Sequence, residues 1–195
     1  MRTLKFTGLA VLAACALSVA VVAPASASVF LASAIGALIL NNQTNTHKFK
    51  TDGGVVECTK VTSDGITVAF SSSSLVETVI YAGCKAFGFA VTVSSAQYQF
   101  LANNSVNLLN TVVITSSIGA CSVKASSAGN QGLGTVLYLP DPNNSKALNI
   151  KAEISGISYL SSGGICGSTG ELHNGTYTGE VLAFLENGGT LAWDA

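Results

Sequence analysis

The chain has 195 residues, of which 48% are hydrophobic and only 10% are charged. The formal net charge at pH 7 is −1, and the nine basic residues are scattered along the sequence. Nucleic acids and anionic membrane surfaces are bound by arginine forks or dense lysine patches, so this composition argues against both as partners.

The N-terminal residues predict an export signal. A short basic start precedes the apolar run Phe6–Ala23, which carries no charge. Ala25-Ser26-Ala27 then supplies the small residues that a signal peptidase requires before its cleavage site. We therefore expect residues 1–27 to be removed. The mature protein would begin near Ser28, secreted or associated with the cell envelope, where disulfides form.

Lipid anchoring at Cys15 is the alternative fate of this segment. Leu12-Ala13-Ala14-Cys15 fits the lipobox pattern that precedes a lipid-modified cysteine. A lipoprotein usually turns polar after that cysteine, however, and here the apolar run continues to the Ala25-Ser26-Ala27 site. Ordinary cleavage is the favoured interpretation.

An apolar N-terminal segment, residues 28–46, follows the signal. Its stretch Val29–Leu40 is apolar apart from Ser33 and is shorter than the roughly twenty residues that span a bilayer. It predicts a buried first strand or a pair of short strands. The alternatives are an amphipathic tail or, if cleavage fails, an N-terminal anchor.

Four cysteines remain beyond the signal: Cys58, Cys84, Cys121 and Cys166. An even number in an exported chain predicts two disulfides, and sequence alone permits three pairings. No two of them have the C-x2-C spacing typical of a zinc site, so we expect neither a metal nor a cofactor.

Residues 47–195 are predicted to form a single all-β domain of consecutive hairpins. Period-two alternation is clear from Leu148 to Ser155, and we find no convincing helical period. Two prolines mark residues 140–145 as a loop. Four turn sequences separate β-type runs, and such sequences are the strongest hairpin signal: Asp52-Gly53-Gly54, Asp64-Gly65, Asn174-Gly175 and Asn187-Gly188. We expect an antiparallel sandwich or partly closed barrel of about ten to fourteen strands.

A weak internal echo raises the possibility of two related halves. Tyr81-Ala82-Gly83-Cys84 loosely matches the stretch from Tyr159 to Cys166, and glycines follow each cysteine. Similar β-composition would produce the same echo, so both interpretations stay open.

The motif at residues 81–89, Tyr-Ala-Gly-Cys-Lys-Ala-Phe-Gly-Phe, resembles a family of small exported actinobacterial proteins of unassigned function. Weaker matches lie around Val55–Cys58, Ile154–Tyr159 and Asn174–Gly179. Many relatives carry a further cysteine pair, whose positions correspond here to Ala96 and Asn110. The resemblance therefore implies a β-rich exported domain with the pairs Cys58–Cys84 and Cys121–Cys166, and it implies no activity. The order of the intervening turns is compatible with both pairs.

Catalytic and metal-binding candidates are sparse. His47 and His173 both lie near turns and are expected to be exposed, and no G-x-S-x-G elbow is present. The carboxylates show no pair in an apolar cleft of the kind that a glycosidase needs: Glu57, Glu77, Glu153, Glu171, Glu180, Glu186, Asp52, Asp64, Asp141 and Asp194. Oxygen-bearing side chains cluster in the loop after Pro140, but an Asx turn explains them without calcium.

Three aromatic residues are candidates for surface binding: Phe87, Phe89 and Trp193. Strand alternation would put Phe87 and Phe89 on one side, where we expect them to enter the core. If exposed, the pair suggests contact with carbohydrate or an envelope protein. Trp193 either closes the core on the last strand or anchors a partner.

The sequence as a whole predicts an exported, non-enzymatic structural or binding protein of the cell envelope or extracellular space. A secreted hydrolase acting on polysaccharide or another envelope polymer is the alternative, supported only by compartment and fold class.

Overall fold

The computed structural model describes residues 27–42, 46–64, 67–116, 121–126, 128–163 and 166–195. The predicted signal peptide and Cys15 lie outside these residues, apart from Ala27. Among the described residues the chain forms strands and no helix. In chain order the strands are β1 (Val29–Ala32), β2 (Gly36–Asn42), β3 (His47–Thr51), β4 (Gly54–Asp64), β5 (Thr67–Val68), β6 (Ser71–Ser72), β7 (Ser74–Ala86), β8 (Phe89–Val93), β9 (Ala96–Leu101), β10 (Ser105–Leu108), β11 (Val112–Ser116), β12 (Ser122–Ala125), β13 (Gln131–Pro140), β14 (Leu148–Ser162), β15 (Gly170–Leu185) and β16 (Leu191–Asp194).

These strands form a closed, eight-stranded antiparallel barrel with additional strands. Four long strands, β4, β7, β14 and β15, run through both halves of the barrel. In one half, the β2 half, the ring is completed by β2, β9, β10 and β13. In the other, the β3 half, it is completed by β3, β8, β11 and β12. The prediction of an all-β antiparallel fold is confirmed.

The barrel interior is the hydrophobic core, because alternate residues of each strand point inward. Leu148, Ile150 and Ile154 on β14 are each at most 6% exposed, as the alternation predicts. The loop expected at residues 140–145 is present from Asp141, whereas Pro140 is the last residue of β13 and pairs with Leu148. The carboxylate of Asp141 accepts the backbone N–H of Asn143 at 2.9 Å, which is an Asx turn.

A small second sheet, β16-β1-β6, covers the end of the β2 half. The ring of Phe30 on β1 is fully buried and packs edge-on against Tyr138, with 5.1 Å between ring centroids. Trp193 on β16 lies against Tyr138 and donates its indole N–H to the carbonyl of Ala102 at 2.7 Å. Trp193 therefore closes the core, which was one of its two predicted roles. The predicted pair of short strands in Val29–Leu40 is confirmed as β1 and β2.

Both predicted disulfides are present. Cys58 on β4 lies directly opposite Cys84 on β7, with Cα atoms 3.9 Å apart. Cys121, just before β12, joins Cys166 in the connection before β15, with a Cα separation of 5.3 Å. Among the described residues no helix is long and apolar enough to cross a membrane.

The hairpin turn predicted at Asn174-Gly175 is wrong. Asn174-Gly175 lies inside β15, where the pairing with β14 shifts register beside Gly156 and Ile157. Gly175 is needed there because a Cβ atom would stand 2.9 Å from the carbonyl oxygen of Ile157. This sequence therefore serves a bulge and a close backbone approach instead of a hairpin.

The hairpin turn predicted at Asp64-Gly65 includes Gly65, which lies outside the described residues. The strand before it, β4, continues along β7, while β5 after it pairs with β2. Of the remaining two turns, residues 52–53 join β3 to β4 as a hairpin, as predicted, and residues 186–190 connect β15 to β16. Strands β15 and β16 enter different sheets, however, so the second turn does not make a hairpin.

Candidate functional site

Four polar aromatic side chains meet inside the barrel, between its two halves. They are His47 on β3, Tyr81 on β7, Tyr98 on β9 and Tyr177 on β15. Nδ1 of His47 lies 2.8 Å from the hydroxyl of Tyr177, which lies 3.2 Å from the hydroxyl of Tyr81. The Tyr81 hydroxyl lies 3.0 Å from that of Tyr98. We call this chain of four groups the lumen relay.

The direction of these hydrogen bonds follows from counting protons. The Tyr81 hydroxyl donates to Tyr177, and because it has only one proton, Tyr98 must donate to Tyr81. The direction of the contact between Tyr177 and Nδ1 of His47 depends on the imidazole tautomer, and we assign Tyr177 as the donor. This assignment uses every hydroxyl proton in the relay and places the imidazole proton of neutral His47 on Nε2.

Nε2 of His47 has no hydrogen-bond partner among the described residues. The side chain is only 2% exposed, which corrects the expectation that His47 lies on the surface. Its position near a turn was misleading because β3 begins at His47 itself, with the imidazole on the inward face. A buried, unpaired N–H group is rare in proteins and costs free energy.

The relay is electrically neutral near physiological pH. Burial lowers the pKa of His47 from 6.5 to about 4. Burial also raises the pKa values of Tyr81, Tyr98 and Tyr177, and the neighbouring phenols add to the effect at Tyr81. All four groups therefore interact through hydrogen bonds, without formal charge.

An apolar cavity lies on each side of the relay, and the relay residues line both. The cavity in the β3 half has a volume of about 50 Å³ and is lined mainly by aliphatic side chains, including Val56, Val112, Ile114, Leu133 and Ile157. The cavity in the β2 half has a volume of about 40 Å³, and its walls include Leu40, Val61, Val106, Val136, Ile150 and Val181. Each exceeds the roughly 10–15 Å³ that one water molecule requires.

Gly179 makes room for the relay. A Cβ atom at this position would stand 2.3 Å from Nδ1 of His47 and 2.8 Å from the hydroxyl of Tyr177. Both distances are shorter than any real contact, and neither ring can move without leaving its hydrogen bond. The backbone of β15 thus passes directly beside the His47–Tyr177 contact, which only glycine permits at this point.

A third cavity, of about 50 Å³, lies at the end of the β3 half and shares Val56 and Ile114 with the inner cavity. Phe87 and Phe89 line it and are 66% and 52% exposed. The expectation that both enter the core is wrong, because Phe87 and Gly88 form a two-residue turn between β7 and β8 and the alternation stops there. Their proposed role in binding stays a prediction.

Phe87 has an unusual backbone conformation. Its φ angle is +52°, and that of Gly88 is +81°, as in a type I′ turn, where Asn-Gly is strongly preferred. The ring lies over Gly54, the first residue of β4, where a Cβ atom would stand 2.4 Å from it. A bulky residue at positive φ is strained, and here the strained residue lies at the barrel end.

Asp52, in the turn between β3 and β4, stabilises the same end of the barrel. Its backbone N–H donates to the hydroxyl of Tyr159 at 2.9 Å. Its carboxylate accepts from Ser168 at 2.7 Å and from Asn174 at 3.0 Å, and these two bonds lower its pKa. Asp52 therefore fixes the β3–β4 turn to the start of β15, which explains it without catalysis.

Three of the other candidate carboxylates have surroundings that the structure describes. Glu57 and Glu153 form exposed ion pairs, at 2.8 Å, with Lys48 and Lys151. Glu77, in contrast, is fully buried, on the same face of β7 as Leu75 and Val79. Among the described residues no three His, Cys, Asp or Glu side chains are placed to hold a metal ion.

Ser158 and His173 form a pair that the sequence did not reveal. The Ser158 hydroxyl lies 2.7 Å from Nδ1 of His173, on adjoining strands β14 and β15. The pair is exposed, as expected for His173, and lines none of the three cavities described above. Among the described residues no hydrogen bond to a carboxylate orients this histidine, so it lacks the third member of a triad.

The chain was compared with protein-family models, curated proteins and solved structures. No protein-family model matches the chain, and neither curated proteins nor solved structures give a match.

Proposed function

We propose that this chain is an exported, non-enzymatic binding protein whose ligand site is the barrel interior beside the lumen relay. The observation that carries the proposal is a buried polar relay with a cavity on each side. Closed eight-stranded barrels have interiors just wide enough to be filled by side chains or to hold one small ligand. An apolar cavity with a few convergent polar groups is the usual form of a small-molecule site.

Export is part of the proposal and rests on two features. The N-terminal sequence has the form of a cleavable signal, and the two disulfides fit an oxidising compartment. Intact mass of the protein from its natural host tests this point. Cleavage after Ala27 leaves an unmodified Ser28 at the N-terminus, whereas lipid anchoring leaves a diacylglyceryl group on Cys15.

Xenon binding tests the site. Xenon enters dry apolar cavities in proteins, so we expect it to shift the methyl NMR signals of Ile114 and Ile150 on either side of the relay. Ala125→Leu, which adds volume to the wall of the cavity in the β3 half, should weaken the shift at Ile114. Ala90→Leu on the exposed face of β8 is the matched control and should leave it unchanged. Methyl signals of the interior that do not respond to xenon would overturn the proposal.

The hydrolase is the second candidate, and the Ser158–His173 hydrogen bond is the observation that favours it. An exposed pair without a cleft or an orienting carboxylate gives little nucleophilic activation. Assays of the hydrolysis of 4-nitrophenyl acetate and of a panel of soluble polysaccharides test the hydrolase alternative. Activity that disappears in Ser158→Ala, or in Glu57→Gln or Glu153→Gln, would replace the binding proposal with the hydrolase.

A further inference from the structure

The hydrogen-bonding state of His47 restricts what can bind beside it. We assign the imidazole proton to Nε2, because this tautomer lets the Tyr177 hydroxyl, which accepts from Tyr81, donate its own proton to Nδ1. Nε2 is therefore a donor, and it has no acceptor among the described residues. A molecule beside it gains a hydrogen bond only if it offers an acceptor oxygen or nitrogen. A molecule that offers only donors leaves the N–H group unpaired.

The surroundings also restrict the charge of such a molecule. Every lysine that the structure describes lies at least partly exposed, and none lines either inner cavity. His47 itself is neutral near physiological pH. An anion would thus lose its hydration without gaining an opposite charge, which is strongly unfavourable inside a protein.

Size and shape give the last restriction. The two inner cavities, of about 50 and 40 Å³, have mostly aliphatic walls. They can hold a compact apolar molecule, or apolar group, of a few heavy atoms on one or both sides of the relay. A sugar ring, which carries donors on most of its carbons, would leave several hydroxyl groups unpaired against these walls.

We infer that the barrel interior binds a small, uncharged, mainly apolar molecule with a carbonyl or ether oxygen that accepts a hydrogen bond from Nε2 of His47. This inference rests on the proposed function and specifies its ligand class. It assigns His47 as the specificity-determining residue, Tyr177 as the group that fixes the tautomer, and Gly179 as the position that lets the two rings meet.

A matched pair of probes tests the inference. 2-Butanone and 2-methyl-1-butene have nearly the same shape and differ in C=O against C=CH2. Methyl NMR titration gives an affinity for each, and the ratio of the two affinities removes the shared contribution of apolar contact. We expect this ratio to favour the ketone about tenfold more in the native protein than in His47→Phe, because phenylalanine keeps the ring and lacks the donor. His173→Gln is the surface control and should retain the native ratio.

The native protein provides a second readout that does not depend on a variant. In the 15N spectrum of His47, Nε2 should be the protonated nitrogen, and its proton should shift when 2-butanone is added. Equal ratios in the native protein and His47→Phe, or protonation on Nδ1, would overturn the inference. So would a failure of both probes to bind while xenon enters. If xenon also fails to enter, the proposed function itself is wrong.

Discussion

Acidification should destabilise the protein through His47 between pH 6.5 and about pH 4. In the unfolded chain this histidine binds a proton near its ordinary pKa of 6.5, but burial lowers its pKa in the folded protein to about 4. Between these values the unfolded state binds more protons, so stability falls as the pH falls. Each pH unit costs about 1.4 kcal/mol, and the total loss is about 3 kcal/mol. Above pH 6.5 and below about pH 4 His47 contributes no further pH dependence.

Urea unfolding between pH 7.5 and pH 4, followed by circular dichroism, measures this loss. His47→Gln removes the titrating group, and His173→Gln is the matched control on the surface. Asp52 and Glu153 also have lowered pKa values, from 3.8 and 4.5, and both lose stability on further acidification. Their contribution is the same in all three proteins and cancels in the comparison.

The native protein and His173→Gln should each lose about 3 kcal/mol more than His47→Gln over this range. A difference below about 1 kcal/mol would refute the argument, because one pKa unit corresponds to about 1.4 kcal/mol. His47 would then titrate close to its ordinary pKa, which is incompatible with a neutral, buried imidazole bound to Tyr177.

Three further substitutions test other parts of the structure. Gly179→Ala should destabilise the fold by about 2 kcal/mol, as overpacking does. The 15N NMR signals of His47 should then show that its hydrogen bond to Tyr177 is lost. An unchanged hydrogen bond would contradict the close approach of β15 to these two rings. Replacing both Cys58 and Cys84 with alanine should lower the free energy of unfolding in urea by roughly 3.5 kcal/mol, because the disulfide closes a 26-residue loop. A loss below about 1 kcal/mol would contradict that estimate. Phe87→Asn should raise the melting temperature by an amount equivalent to about 1 kcal/mol, because asparagine tolerates the positive φ angle. The control Phe89→Asn should not raise it. A melting temperature of Phe87→Asn below that of the native protein would mean that the ring contact of Phe87 outweighs its backbone strain.

Local sequence signals predicted the fold class well. The alternation around Ile150 and the turn residues at Asp52 depend on interactions between residues close in the chain. The structure has the strand and the hairpin that they predicted. The failures occur where pairing is decided by residues far apart in the chain. Asn174-Gly175 is a strong turn sequence, yet closure of the barrel keeps it within β15. No local pattern contains the information that β15 must pair with both β14 and β3.

The lumen relay could be predicted only in part. Tyr81, Tyr98 and Tyr177 are in phase with apolar residues on their own strands, so alternation places all three on the inward face. Their meeting with His47 depends on the register of four strands, and one-residue slips would separate them. The orphan Nε2 and the need for Gly179 follow from distances that only the closed barrel defines.

A crystal structure of the protein soaked with 2-butanone tests the central claim most directly. The claim predicts the ketone inside the barrel, with its oxygen about 2.7–3.2 Å from Nε2 of His47 and the Tyr177 hydroxyl still bound to Nδ1. Ketone found only on the outer surface, or a barrel interior filled by side chains around a His47 that contacts no tyrosine, would contradict it.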